Sequence, residues 1–235
     1  MDTQKPPFLK LDRVTLPGPI QIRLVLAKGQ RAGIALDNPE QRRSLVRKIL
    51  GFEPPLDGVS YPEGPITNFS DTSKALVRSH VGTNLPARDL FDGGARIQKR
   101  MEGAKTLLEA FETYMKQTLS GIKDVEAVDA FIRPRIRFLH WSANFGLRHA
   151  NTPAKLDAAS WTFFWLTVAM AAGDKLAVLV DPLAGLDLMA AMRAGDVLRL
   201  FQKEEAAWLM LAASSKAPGA QFCERWIEKP PPAAS

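Results

Sequence analysis

The sequence predicts an α/β fold: a core of parallel strands, an antiparallel sheet at the start and a helical middle. Three observations carry this. Two apolar runs, KLAVLVD (175–181) and AAWLMLAAS (206–214), have the composition of strands buried on both faces. Helical patterns alternate with them, as in βαβ units. Near the start, FLKLDRV (8–14) and IQIRLVL (20–26) alternate apolar and polar residues, as a half-buried antiparallel sheet requires.

The elements follow in order. LPGP at 16–19 turns the first strand into the second, and AKGQ at 27–30 makes the next turn. RAGIAL, 31–36, is a short strand of the buried type. Asp37 or Asn38 can cap the following helix and Pro39 suits its first turn. The helix should run to about Leu50, with Gly51 stopping it. Residues 52–96 are rich in Gly, Pro, Ser, Asp and Asn and read as loops with short strands. A helix is expected from about Ile97 to Thr118, with Leu107, Leu108, Phe111, Tyr114 and Met115 on one stripe. Another covers about Val125–Asn144, interrupted near Pro134. The turn HANTPAK leads into AASWTFFWLTVAMAAG, 158–173. Those 16 residues fall short of the ~20 a spanning helix needs, so a buried core helix is expected. LDLMAAMRAGDVLRLFQKEE (186–205) is a helix, AQFCERWIEK (220–229) a closing segment and PPPAAS (230–235) a disordered tail. No internal repeat is visible.

Composition narrows the class. With 46% hydrophobic and 24% charged residues in 235, the chain suits one soluble domain. One cysteine, Cys223, excludes an internal disulfide framework and a multi-cysteine metal site, and suggests a reducing compartment. The first residues carry no signal-peptide pattern. A net charge of +6 would suit nucleic acid, but the basic residues are scattered, loosely grouped at Arg96–Arg100 and Arg133–Arg137. They read as solvated surface that an anionic membrane face would attract, and no nucleic-acid partner is expected. His80, His140 and His149 are dispersed, with neither metal spacing nor a nucleophile beside them, and surface or capping roles are expected.

Three segments in order then resemble the nucleotide-binding subunit of an ABC transporter: the strand–turn–helix at 31–51, the helix at 158–172 leading into LAVLVDPLAGLD, and WLMLAASS. VDPLAGLD, 180–187, looks like that family's Walker B strand end and D-loop, and SLVRKILGFEPPLDG, 44–58, like the helix after its phosphate loop. Within the family, the capsular-polysaccharide and O-antigen export subtype is the most similar. It is suggested by Pro153–Lys155 before the signature position, by the linker-like SYPEGPITNF and by QFCERWI. The resemblance spans about residues 8–229. It implies a single domain with a P-loop NTPase-like (RecA-like) core, an N-terminal antiparallel β subdomain and a helical subdomain at about 97–160.

The residues that the resemblance would make functional are mostly replaced. Leu36 and Gln41 stand where two glycines belong, Arg42 at the lysine position and Arg43 at the Mg²⁺-ligand position, with Ser44 after it. Side chains at glycine positions fill a phosphate cradle and disfavour positive φ. Asp181 keeps the Walker B acid, but Pro182 replaces the glutamate that would activate water. The signature falls on DAASW, with Ala158, Ala159 and Ser160 at its centre and bulky Trp161 after them. The switch histidine falls near Ser214 and the Q-loop glutamine near Gly82. No aromatic residue sits at the adenine-stacking position after DRVTL. Each feature also has an ordinary reading. Asn38, Arg42, Arg43 and Ser44 could belong to a capped surface helix. Asp181 could cap a turn. Trp161 could be core, or an aromatic face for a partner.

Phosphoryl transfer is mostly positioning and charge compensation, so these losses together remove the chemistry. The expectation is a non-catalytic subunit of a polysaccharide exporter, peripheral at the inner membrane face. Its partners would be an integral membrane permease, another ATPase subunit or a second copy. No catalytic residue, no metal and no cofactor are expected, with weakly bound Mg-ATP as the alternative. Asn38, Arg42, Arg43, Ser44 and Asp181 would be vestigial nucleotide contacts. Two other readings are a divergent active ATPase, and a soluble interaction or anion-binding protein unrelated to transport.

Overall fold

The computed structural model describes residues 7–18, 20–122, 126–148 and 150–228. His149 and the tail at 230–235 lie outside them. The first sheet holds β1 (Pro7–Leu16), β2 (Ile20–Ala27), β4 (Val59–Tyr61) and β5 (Gly64–Pro65), in the order β2-β1-β4-β5 and antiparallel throughout. The second holds β3 (Arg31–Ala35), β6 (Val81–Thr83), β7 (Leu176–Val180), β8 (Ala207–Ala212) and β9 (Arg225–Ile227). Its order is β6-β7-β8-β3-β9 and every pairing is parallel. The α/β reading is therefore right, with the antiparallel and parallel strands in separate sheets.

Helices α1 (Pro39–Ile49), α2 (Asp71–Arg78), α3 (Ala87–Leu90), α4 (Gly94–Glu102), α5 (Leu107–Thr118), α6 (Glu126–Asn144), α7 (Ala158–Ala172) and α8 (Leu188–Phe201) complete the described residues, with short 3₁₀ turns at Ile66–Asn68, Pro153–Lys155 and Ala220–Phe222. The core centres on α7, buried from Phe163 to Ala172. It packs against α6 on one side and β6 on the other. Gly82 permits the second contact: a Cβ there would meet the Ala169 carbonyl oxygen at 1.8 Å. Arg137 of α6 closes the C-terminal end of α7. Its Nη2 donates to the Met170 carbonyl at 2.7 Å and pairs with Glu204, and its Nε donates to the Ala171 carbonyl at 3.1 Å. None of the helices among the described residues is long and apolar enough to cross a membrane.

Three sequence expectations need correction. The helix expected over 97–118 is two helices. Thr106 caps the second by accepting from Glu109 N at 3.1 Å, while the Glu109 carboxylate accepts from Lys105 N at 2.9 Å. That reciprocal cap starts a new helix and breaks the longer run. Pro134 does not interrupt α6, which runs through it. Residues 52–96 are more than loops: α2 starts on Ser70, whose hydroxyl accepts from Ser73 N, and α3 follows.

The close α7–β6 contact makes a sharp test. Gly82→Ala is expected to lower stability by about 3 kcal/mol, because the obstacle is backbone that cannot swing away. Urea unfolding followed by circular dichroism would measure this.

Candidate functional site

The turn between β3 and α1 lies at the C-terminal edge of the parallel sheet, where α/β folds place their sites. Asn38 caps α1 by accepting from Glu40 N at 2.8 Å. Gln41 and Arg42 are buried in the first turn. Gln41 Nε2 crosses to the β1–β2 turn and donates to the Pro17 carbonyl at 2.7 Å. Arg42 folds back into the turn it follows. Its Nη1 donates to the Leu36 carbonyl, and to the Asp37 carbonyl at 3.3 Å. Its Nε lies 3.2 Å from Asp181 Oδ2. A guanidinium thus occupies the inside of the turn.

Asp181, just past β7, is held in a left-handed conformation at φ +41°. Its N–H donates to the Leu211 carbonyl at 2.9 Å and its carbonyl accepts from Ala184 N at 3.0 Å. Burial pushes its carboxyl above the ordinary value. Arg42 and a backbone hydrogen bond from Ala213 pull the other way.

The remaining cations of α1 find carboxylates too. Arg43 reaches Glu40 at 2.9 Å and Asp89 at 3.3 Å. Ser44 donates its hydroxyl to Glu53, which also lies 3.5 Å from Arg47 and 4.0 Å from Lys48. Of the residues singled out from sequence, Arg42 and Asp181 are therefore brought together. Asn38 serves as a cap, and Arg43 and Ser44 have other partners. Glu53 could not be anticipated, because it acts from outside the helix.

Beside the turn is a cleft of about 570 Å³ lined by Ile20, Asp37, Asn38, Gln41, Ser214 and Lys216, among others. Ser214, at the switch position, accepts from Lys216 N at 3.3 Å through its hydroxyl and from Ala217 N at 3.1 Å through its carbonyl. The residues lining the cleft include no aromatic. Gly82 is a packing residue inside β6, not a loop position. The amide at this edge is Asn84, which donates to the Val180 carbonyl at 2.9 Å and accepts from Val180 N at 2.7 Å. An amide directly after the strand VGT was its available signal.

The signature-like segment forms the start of α7. Asp157 accepts from Ser160 N at 2.7 Å, and this bond lowers its carboxyl pKa. Ala158 is exposed, Ala159 and Ser160 are half-exposed, and Trp161 packs on Phe164 and Trp165 with centroids 5.3 and 6.1 Å away. No hydrogen bond or ion pair joins this segment to Arg42 or Asp181 among the described residues. Nor do these residues hold a cluster of His, Cys, Asp and Glu able to ligate a metal. His80 is not a simple surface or capping residue: its Nδ1 lies 2.9 Å from Asp174 and 2.6 Å from Arg133 Nη1.

The residues around the turn do not fit a magnesium triphosphate in the way glycines, a lysine and a hydroxyl would. Arg42 bonds to the carbonyls of the turn and pairs with Asp181, and Ser44 donates to Glu53.

No family model and no curated protein matches this chain. Solved structures do. Similar ones include cbiO1 from Clostridium perfringens, part of the ABC transporter complex cbiONQ (TM-score 0.64, 17% identity, 94% of this chain and 84% of that one). Another is the ADP conformation of MJ1267, an ATP-binding cassette of an ABC transporter (0.65, 13%, 95% and 87%). A third is the dimeric bacterial cassette MJ0796 (0.64, 16%, 97% and 99%). The expectation that no cofactor is involved is overturned by this likeness: MJ1267 is an ATP-binding cassette, seen in its ADP conformation. The chain has the fold of an ABC transporter ATP-binding cassette.

Proposed function

We propose that the chain is a cassette subunit that does not hydrolyse ATP and works within a membrane export complex. One observation carries the reading: the Arg42 guanidinium sits inside the β3–α1 turn, bound to its carbonyls and to Asp181. A side chain in that place leaves little room for phosphate oxygens, and Pro182 offers no base to activate water. Asn38, Arg42, Arg43, Ser44 and Asp181 are then the remnant of a nucleotide site. Ala158, Ala159 and Ser160 are the remnant of a signature. Nucleotide, where it engages, does so weakly through the cleft beside the turn.

The polysaccharide class of cargo is supported by QFCERWI, SYPEGPITNF and Pro153–Lys155. A permease, a second cassette or a second copy are the partners that this reading implies, at the cytoplasmic face of the membrane. Among similar proteins, cbiO1 is part of the ABC transporter complex cbiONQ and MJ0796 is dimeric. On this reading residues 8–229 form one domain whose helical lobe spans about 97–160.

Two outcomes test it. In calorimetry, MgATP is expected to bind no more tightly than a Kd of about 1 mM. The purified chain is expected to show no turnover above background, alone or with native membranes that co-purify with it. Micromolar binding with hydrolysis abolished by Asp181→Asn would refute the proposal.

The second test concerns the clamp. Arg42→Met leaves the Leu36 and Asp37 carbonyls and the Asp181 carboxylate without their cation, at a cost of about 2 kcal/mol near neutral pH. A folded-state pKa above the unfolded value gives stability that is complete below the ordinary 3.8 and lost as pH rises through the raised value. Losing the cation raises it further, so the gap between variant and wild type should narrow as pH falls towards 4. Urea titrations at a series of pH values would show this.

A further inference from the structure

A second cavity, of about 470 Å³, lies between the antiparallel sheet, α2 and the starts of β6 and β7. His80 and Lys175 immediately precede those two strands, so the cavity is at the N-terminal end of the parallel sheet. The Arg42 turn is at the opposite end. Its size falls within the roughly 300–1,000 Å³ of small-molecule sites.

The wall is aromatic. Phe8 meets Tyr61 edge-on with centroids 5.9 Å apart, and Tyr61 lies 6.5 Å from Phe69. Tyr61 is fixed by its hydroxyl, which donates to the Ile49 carbonyl at 2.6 Å. Leu76 and Val77 of α2 extend the apolar surface.

Opposite charges line this wall. Glu63 and Lys175 are exposed, and neither makes a side-chain hydrogen bond or ion pair among the described residues. Their charges are thus available to a ligand, whereas the cations of α1 are each held by a carboxylate or a carbonyl. His80 Nδ1 accepts from Arg133 Nη1, which also donates to Asp174, so the ring's remaining N–H is at Nε2. Aromatic faces attract ammonium groups through the ring quadrupole, and a carboxylate beside them adds to it. A lysine and a histidine supply donors for an acid group.

We propose that this cavity binds a small zwitterion, its ammonium end against Phe8, Phe69 and Glu63 and its acid end against Lys175 and His80. Two sources share that chemistry: the headgroup of a zwitterionic phospholipid and the free headgroup compound.

The test uses the full chain and phosphocholine as probe, followed by calorimetry. Phosphocholine is expected to bind, with choline and inorganic phosphate each at least about tenfold weaker. Glu63→Gln and Lys175→Met should each weaken phosphocholine binding about fivefold or more and leave the melting temperature unchanged, since both side chains are exposed. Co-sedimentation with phosphatidylcholine vesicles, lost in both variants, assigns the headgroup to lipid. Binding of free phosphocholine without vesicle retention assigns it to the soluble compound. Absence of binding, equal affinity for choline alone, or affinity unchanged in both variants would overturn the proposal. None of these results depends on whether ATP is hydrolysed.

Discussion

The ion pair between Arg42 and Asp181 is the constraint on which the edge of the parallel sheet depends. It joins the turn after β3 to the end of β7, two strands that are not neighbours in the sheet. Each partner is held in an unfavourable state. The arginine is buried, and the aspartate has both a desolvated carboxyl and a left-handed backbone. Neither would be stable alone: a lone buried charge costs several kcal/mol, and a non-glycine residue at positive φ costs about 1 kcal/mol. The two charges offset each other and Arg42 Nη1 is held by the carbonyls of Leu36 and Asp37, while Arg42 Nε, 3.2 Å from Asp181, makes no hydrogen bond.

The same logic runs along α1. Its polar side chains point to carboxylates supplied by other segments: Glu53 after the helix, Asp89 in α3 and Asp92 beyond it. A helix start that would attract an anion is thereby neutralised from within. The positive end of the helix meets its own cap, Asn38, and the basic residues behind it are each committed. Near this turn the chain supplies a negative charge of its own, Asp181.

Much of the fold was legible because it rests on short-range patterns. β7, β8 and α7 follow from apolar runs, and α1 from a cap, a proline and a stopping glycine. Boundaries failed where a local polar motif overrode the hydrophobic period, as at Thr106–Glu109. They also failed where tertiary packing tolerated an exception, as at Pro134. The site was legible only in part. That Arg42 and Asp181 belong to one place came from their motif positions. That the guanidinium turns inward came from nothing local, because it depends on carbonyls displayed by the folded turn. Glu53, Asn84 and the His80–Asp174–Arg133 cluster were invisible for the same reason, since their partners come from distant parts of the chain.

The position of β3 has a consequence for how the protein is made. This strand is flanked by β8 and β9, both translated long after it. During synthesis it leaves the ribosome with neither neighbour available, and its apolar face has nothing to pair with. Contacts so distant in sequence close slowly. The antiparallel β1–β2 hairpin can form at once, but the parallel sheet waits for most of the chain.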